Sequence, residues 1–71
     1  MQRGHHVTII LNGEARELPP GIRLAGLIAL LKLSGRLAAE RNGAIVPRSA
    51  YATTALSEGD RIEIVRAIGG G

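Results

Sequence analysis

The chain contains no cysteine, no tryptophan and no phenylalanine, and Tyr51 is its single aromatic residue. Without cysteine there is neither a disulfide framework nor a thiolate metal site to brace so small a domain. That absence also fits a reducing compartment, and the cytoplasm is the expected location. Without aromatic residues there are no platforms on which single-stranded bases could stack. Long apolar runs are missing as well: none approaches the roughly 20 residues that span a bilayer, and the N-terminus shows no signal-peptide pattern. Histidine is confined to His5 and His6. Neighbours on an extended chain point to opposite faces, so no metal site is expected. A Ser-His couple is excluded from the folded part for the same lack.

What is present is a folded, globular composition: 71 residues, 45% hydrophobic and 21% charged. That is one small domain, near the size at which a single core only just offsets the entropy of folding. The core must come from Ile, Leu, Val and Ala. Nine basic residues against six acidic give a formal net charge of +3. The arginines at 3, 16, 23, 36, 41, 48, 61 and 66 are scattered, with no basic run. This is the pattern of a solvated surface, or of attraction to an acidic partner, and not of a nucleic-acid groove.

Along the chain, residues 1–6 are polar and unpatterned, a frayed or vector-derived start. Val7-Thr8-Ile9-Ile10-Leu11 is rich in β-branched residues and reads as a strand. Asn12-Gly13 is a strong hairpin signal, because both residues tolerate positive φ. Residues 14–18 form the polar return strand, an edge, ended by Pro19-Pro20-Gly21. Leu24, Leu27, Ile28 and Leu31 recur at helical spacing and predict the only helix over 24–33, closed by Ser34 and a left-handed Gly35. Gly26 inside that helix implies close packing on the sheet. A third strand over 36–41, a second Asn-Gly turn at 42–43 and a short strand at 44–46 follow, with Pro47 marking a sheet edge. Ser49 is placed to cap a single turn over 50–52, and Leu56 to anchor the core. Glu58 and Asp60 flank Gly59 as turn formers. The last strand runs over 61–68, with Ile62 and Ile64 on one face and Arg61 and Glu63 on the other.

Hairpin, crossing helix, then further strands is an α+β plan, with one helix packed across a mixed sheet of four to five strands. Setting the first and last strands side by side in parallel gives the β-grasp, or ubiquitin-like, architecture, with the domain at 7–68 and a flexible tail at 69–71. Ile10, Val65, Ala67 and Ile68 then fall near the outward face beside the tail, as candidates for docking a partner.

No nucleophile with a base, phosphate loop or metal spacing appears, so the domain is not expected to be an enzyme. The tail is where chemistry remains. Gly69, Gly70 and Gly71 form a slim end whose three residues reach about 10 Å, thin enough to carry the Gly71 carboxylate into a narrow active site. Adenylation there would convert a poor electrophile into an acyl-adenylate, and a sulfur nucleophile would leave a thiocarboxylate.

Asn42-Gly43-Ala44-Ile45-Val46-Pro47-Arg48-Ser49, Leu56-Ser57-Glu58-Gly59-Asp60-Arg61-Ile62-Glu63-Ile64-Val65 and Ala67-Ile68-Gly69-Gly70-Gly71 resemble the ThiS family of thiamine-biosynthesis sulfur carriers. The opening Leu11-Asn12-Gly13-Glu14 hairpin agrees. The Ile-Val-Pro-Arg element together with the glycine tail is the specific part; the Glu-Gly-Asp turn alone is shared by many β-grasp proteins. The resemblance implies that a ThiF-like adenylating enzyme uses ATP to activate Gly71, that a desulfurase system supplies sulfur, and that a ThiG-like thiazole synthase receives it. No cofactor is then bound by the carrier itself. Arg23 stands where the family often has Thr or Ser, which removes a hydroxyl cap from the helix start. A MoaD-like small subunit of molybdopterin synthase, a ubiquitin-like modifier, and a non-covalent β-grasp binding module remain as alternatives.

Overall fold

The computed structural model describes residues 6–66. It contains β1 (Val7–Leu11), β2 (Glu14–Leu18), α1 (Leu24–Leu30), β3 (Leu37–Arg41), β4 (Ala44–Val46) and β5 (Arg61–Arg66). The sheet order is β2-β1-β5-β3-β4. β1 and β5 pair in parallel at its centre, and every other pairing is antiparallel. A mixed five-stranded sheet with one helix is the expected β-grasp plan. Both Asn-Gly turns adopt left-handed backbone at each residue: Asn12 and Gly13 at φ 49° and 88°, Asn42 and Gly43 at 51° and 87°. Those values match the right-handed twist of the strands they join.

Side-chain alternation in the strands and the helical stripe meet in one core. Ile9 and Leu11 of β1, Leu18 of β2, Ala39 of β3 and Ile62 and Ile64 of β5 face Leu24 and Leu27 of α1, with Leu56 contributed from the loop before β5. Each fully buried aliphatic side chain of this set is worth about 1.5–3 kcal/mol of transfer free energy. Such burial is what holds together a domain with no covalent cross-link.

Four expectations require correction. The helix ends at Leu30, not Leu33, and Gly35 does not cap it. Instead Lys32 turns left-handed at φ 58°. Its N–H bonds the Ala29 carbonyl at 3.0 Å, and the Leu33 N–H bonds that of Ile28 at 3.1 Å. This pair is a Schellman closure. Leu33 packs back on the core after the turn, so the apolar stripe outruns the helix that carries it. Ser49 is no cap either: it lies inside a single 3-10 turn, Arg48–Ala50, that begins after Pro47. Gly26 is solvent-exposed rather than pressed on the sheet. A Cβ there would meet Ile22 Cγ1 at 3.1 Å. The last strand agrees with expectation over Arg61–Arg66, and its expected continuation over 67–68 lies outside the described residues.

Arg23, as expected, offers α1 no side-chain cap. The loop after the 3-10 turn compensates, because the Leu24 and Ala25 N–H groups bond the carbonyls of Thr54 and Tyr51 at 2.8 and 2.9 Å. The Arg23 guanidinium itself donates to Ala52 O at 3.2 Å.

Candidate functional site

The candidate site is the end of β5 and the surface around it, since β5 leads into the glycine tail. β5 is fixed on both flanks. On one side it pairs with β3 from Arg41↔Ile62 to Leu37↔Arg66. On the other, β1 pairs only as far as Leu11↔Ile62. There the Asn12 amide takes over, donating through Nδ2 to Ile64 O at 3.1 Å and accepting the Ile64 N–H on Oδ1 at 3.0 Å. At the start of β5, Asn42 Oδ1 accepts the Arg61 N–H at 2.8 Å.

The turn before β5 is organised by Asp60, the buried acid of the domain. Its carboxylate accepts from Ser57 N–H at 2.8 Å, Arg41 Nε at 3.0 Å and Asn42 Nδ2 at 3.1 Å. Burial alone would raise this carboxyl. The Ser57 N–H, the Asn42 amide and the Arg41 guanidinium together outweigh it and hold the group below the ordinary aspartate value. Glu58 accepts the Thr8 N–H at 2.9 Å, tying the same turn to β1. Both acids therefore shape the turn.

Of the residues singled out from sequence, Ile10 and Val65 share the outer face but do not adjoin. Ile10 is half-buried and sits opposite Arg61. Val65 is 58% exposed and sits opposite Ala38. Ile45, 77% exposed, lies on the same face one strand further on, opposite Glu40. With Ala39, Glu40 and Glu63 these residues line a shallow hollow of about 180 Å³. A second hollow, of about 280 Å³, lies beside it between the two Asn-Gly turns and is lined by Ile10, Gly13, Glu40, Gly43, Arg61, Ile62 and Glu63. Ala67, Ile68, Gly69, Gly70 and Gly71 lie outside the described residues.

Sequence reasoning missed Ala38, Glu40 and Ile45 as part of this surface. Strand alternation alone puts Ala38 and Glu40 on one face of β3, and Glu63 and Val65 on one face of β5. The antiparallel register that sets the two pairs opposite each other comes only from the fold. No ring of donors fit for catalysis forms among the described residues: Ser49 lies inside the 3-10 turn, and Ser57 is engaged through its backbone. The arrangement presents the hydrogen-bonded end of β5 beside an apolar, acid-lined face.

A model of the ThiS family matches residues 9–71. The chain is 42% identical over 64 residues to a thiazole synthase from Paramagnetospirillum magneticum, and 44% identical over 64 residues to one from Magnetococcus marinus. Each match takes in 89% of this chain and 20% of the relative, so the chain spans about a fifth of the length of these curated relatives. Among solved structures it is similar to the crystal structure of the thiamine biosynthesis protein ThiS from Geobacter metallireducens, with 25% identity and a TM-score of 0.80. That match covers 92% of this chain and all of the other. The solution structure of a thiamine biosynthesis protein from the same organism matches with a TM-score of 0.77 at 25% identity, covering 92% of this chain and 88% of the other.

Proposed function

The chain belongs to the ThiS family, and from that premise we propose that it is a sulfur carrier of thiamine biosynthesis whose working group is the Gly71 carboxylate. The observation that carries this reading is the match through residue 71, glycine tail included, on a fold whose last central strand runs toward that tail. The domain acts as a protein substrate and not as a catalyst. A carboxylate oxygen of Gly71 attacks the α-phosphorus of ATP in an adenylating partner, and pyrophosphate leaves. A sulfide-level sulfur from a desulfurase system then attacks the acyl carbon. AMP departs with the carboxylate oxygen, leaving a thiocarboxylate. That sulfur passes to a thiazole synthase, the activity named in the relatives that share 42–44% identity with this chain. The setting we assign is the cytoplasm, where ATP and reduced sulfur are both at hand.

Mass spectrometry tests this reading. The full chain is incubated with the adenylating enzyme, ATP and a sulfur donor, and the expected product is heavier by the exchange of one oxygen for one sulfur, located at Gly71. An unchanged mass, with an enzyme competent on another carrier, would remove the sulfur-carrier role. Conjugation to lysines instead would point to a modifier. Delivery of the sulfur to a molybdopterin precursor, and not to thiazole synthase, would assign the other pathway.

A further inference from the structure

On the outer face, Glu40 of β3 sits directly opposite Glu63 of β5 and, on its other side, opposite Ile45 of β4. Like charges so placed repel, and side chains directly opposite across an antiparallel pair are close neighbours. Among the described residues the one ion pair is Arg41–Asp60, so neither glutamate is matched. Arg61 shares the face and lines the neighbouring hollow together with both glutamates, yet it stands opposite Ile10 and lies within ion-pair distance of neither. Around the two carboxylates are Ala38, Ile45 and Val65, apolar and open to solvent. Lysine and arginine fit such a hollow by laying an apolar stem on the aliphatic wall and setting a charged head between acids.

Reach narrows the occupant to an enzyme that takes up the tail. Five residues follow Arg66, which extend at most about 17 Å. An enzyme that encloses the Gly71 carboxylate must therefore abut the surface around Val65. We propose that this face is the docking surface for a thiazole synthase, which seats a lysine or arginine between Glu40 and Glu63 and packs apolar side chains on Ala38, Ile45 and Val65. The inference rests on the sulfur-carrier reading and adds to it the partner's contact chemistry. The synthase is favoured because the relatives of that name hold the matching sequence within one longer polypeptide, which keeps the two bodies in permanent proximity.

The test is calorimetric titration of the full chain with the thiazole synthase of the same genome, at several salt concentrations. Two variants are compared with the parent: Glu40→Gln with Glu63→Gln, and Ile45→Ser. The double variant should bind about tenfold more weakly and lose most of the salt dependence. Its Tm should equal or exceed that of the parent, because a like-charge pair has been relieved. Ile45→Ser should bind about tenfold more weakly at unchanged Tm. Unchanged affinity and salt dependence in both variants, with the parent binding normally, would overturn the docking face while leaving the carrier reading intact. A loss of affinity that tracks a loss of Tm would also overturn it, as would a loss confined to the adenylating enzyme or to self-association. If the parent itself neither binds the synthase nor passes sulfur to it, the carrier reading falls together with the docking face.

Discussion

The side-chain amide of Asn12 exchanges two hydrogen bonds with the backbone of Ile64, at 3.1 and 3.0 Å. It extends the parallel ladder that the backbone has built up to that point, from Ile10 N–H to Asp60 O and from Asn12 N–H to Ile62 O, both at 2.9 Å. One residue thus turns a hairpin through its positive φ and fastens the final strand through its side chain. The clasp lies two residues before Arg66.

Two substitutions separate these roles. Asn12→Gly keeps the turn conformation but removes both bonds, and should cost about 1–2 kcal/mol. Asn12→Asp keeps an acceptor for the Ile64 N–H but sets a carboxylate oxygen against Ile64 O, with a cost of similar size. Native-state hydrogen exchange tells them apart. The Ile64 amide should lose protection selectively in the glycine variant and retain part of it in the aspartate variant. Equal protection of that amide in all three proteins would show that the clasp does not hold β5.

Lys32 offers a stabilising change. As a non-glycine residue at φ 58° it carries a Cβ clash at the Schellman position. Lys32→Gly should raise stability by about 0.5–1 kcal/mol, the relief exceeding the added unfolded-state entropy. Lys32→Val should lower it, since a β-branched residue tolerates this backbone poorly. Urea titration of the three proteins provides the measurement, and a less stable glycine variant would count against this account of the helix end.

These residues also mark how far sequence could be read. Strand alternation in Val7–Leu11 and Arg61–Arg66, the two Asn-Gly turns and the stripe from Leu24 to Leu31 were enough to place the sheet, the helix and the core. Those signals are local and periodic, and burial acts on them directly. The helix end is not legible locally, because Leu33 is apolar for a tertiary reason, packing after a turn that Lys32 makes against its own preference. Gly26 was given the wrong neighbour because nothing local says that Ile22 occupies the space above it. At the site, the outward exposure of Val65 was legible. The surroundings of Val65 were not, because a register that sets Glu40 against Glu63 and Ala38 against Val65 pairs residues 23 and 27 positions apart. The side-chain bonds of Asn12 and Asn42 to β5 were hidden for the same reason, since each residue already had a sufficient local explanation as a turn former.

Asp60 gives the domain an acid-sensitive element. Its folded carboxyl titrates below the ordinary value of 3.8. Its contribution to stability is therefore complete above that value and is lost as pH falls through the lower, folded one. Asp60→Asn should destabilise the protein by about 1–3 kcal/mol at neutral pH, because the Arg41 guanidinium loses its counter-charge and the Ser57 N–H a charged acceptor. Arg41 is one-third exposed, which keeps the effect toward the lower end. Denaturant titrations of parent and variant should converge as pH is lowered below about 4. A gap that stays constant over that range would mean that Asp60 acts through shape and not charge.

The tail separates folding from function most sharply. The core side chains among the described residues end at Ile64, and the last register pair is Leu37↔Arg66. Deleting Gly71, or adding one residue after it, leaves each of those contacts in place. The stability of either variant should match the parent within about 0.5 kcal/mol. The carboxylate we propose to react, however, moves by one residue, about 3.3–3.6 Å. Reacting atoms must lie about 3–3.5 Å apart for attack, so a shift of that size takes the carboxylate out of range of the α-phosphorus. Both variants should therefore fold normally, fail to acquire sulfur, and still bind the synthase through the sheet face. If either one is thiocarboxylated and supports thiazole formation at the parent's rate, the position of the Gly71 carboxylate is not what the reaction reads.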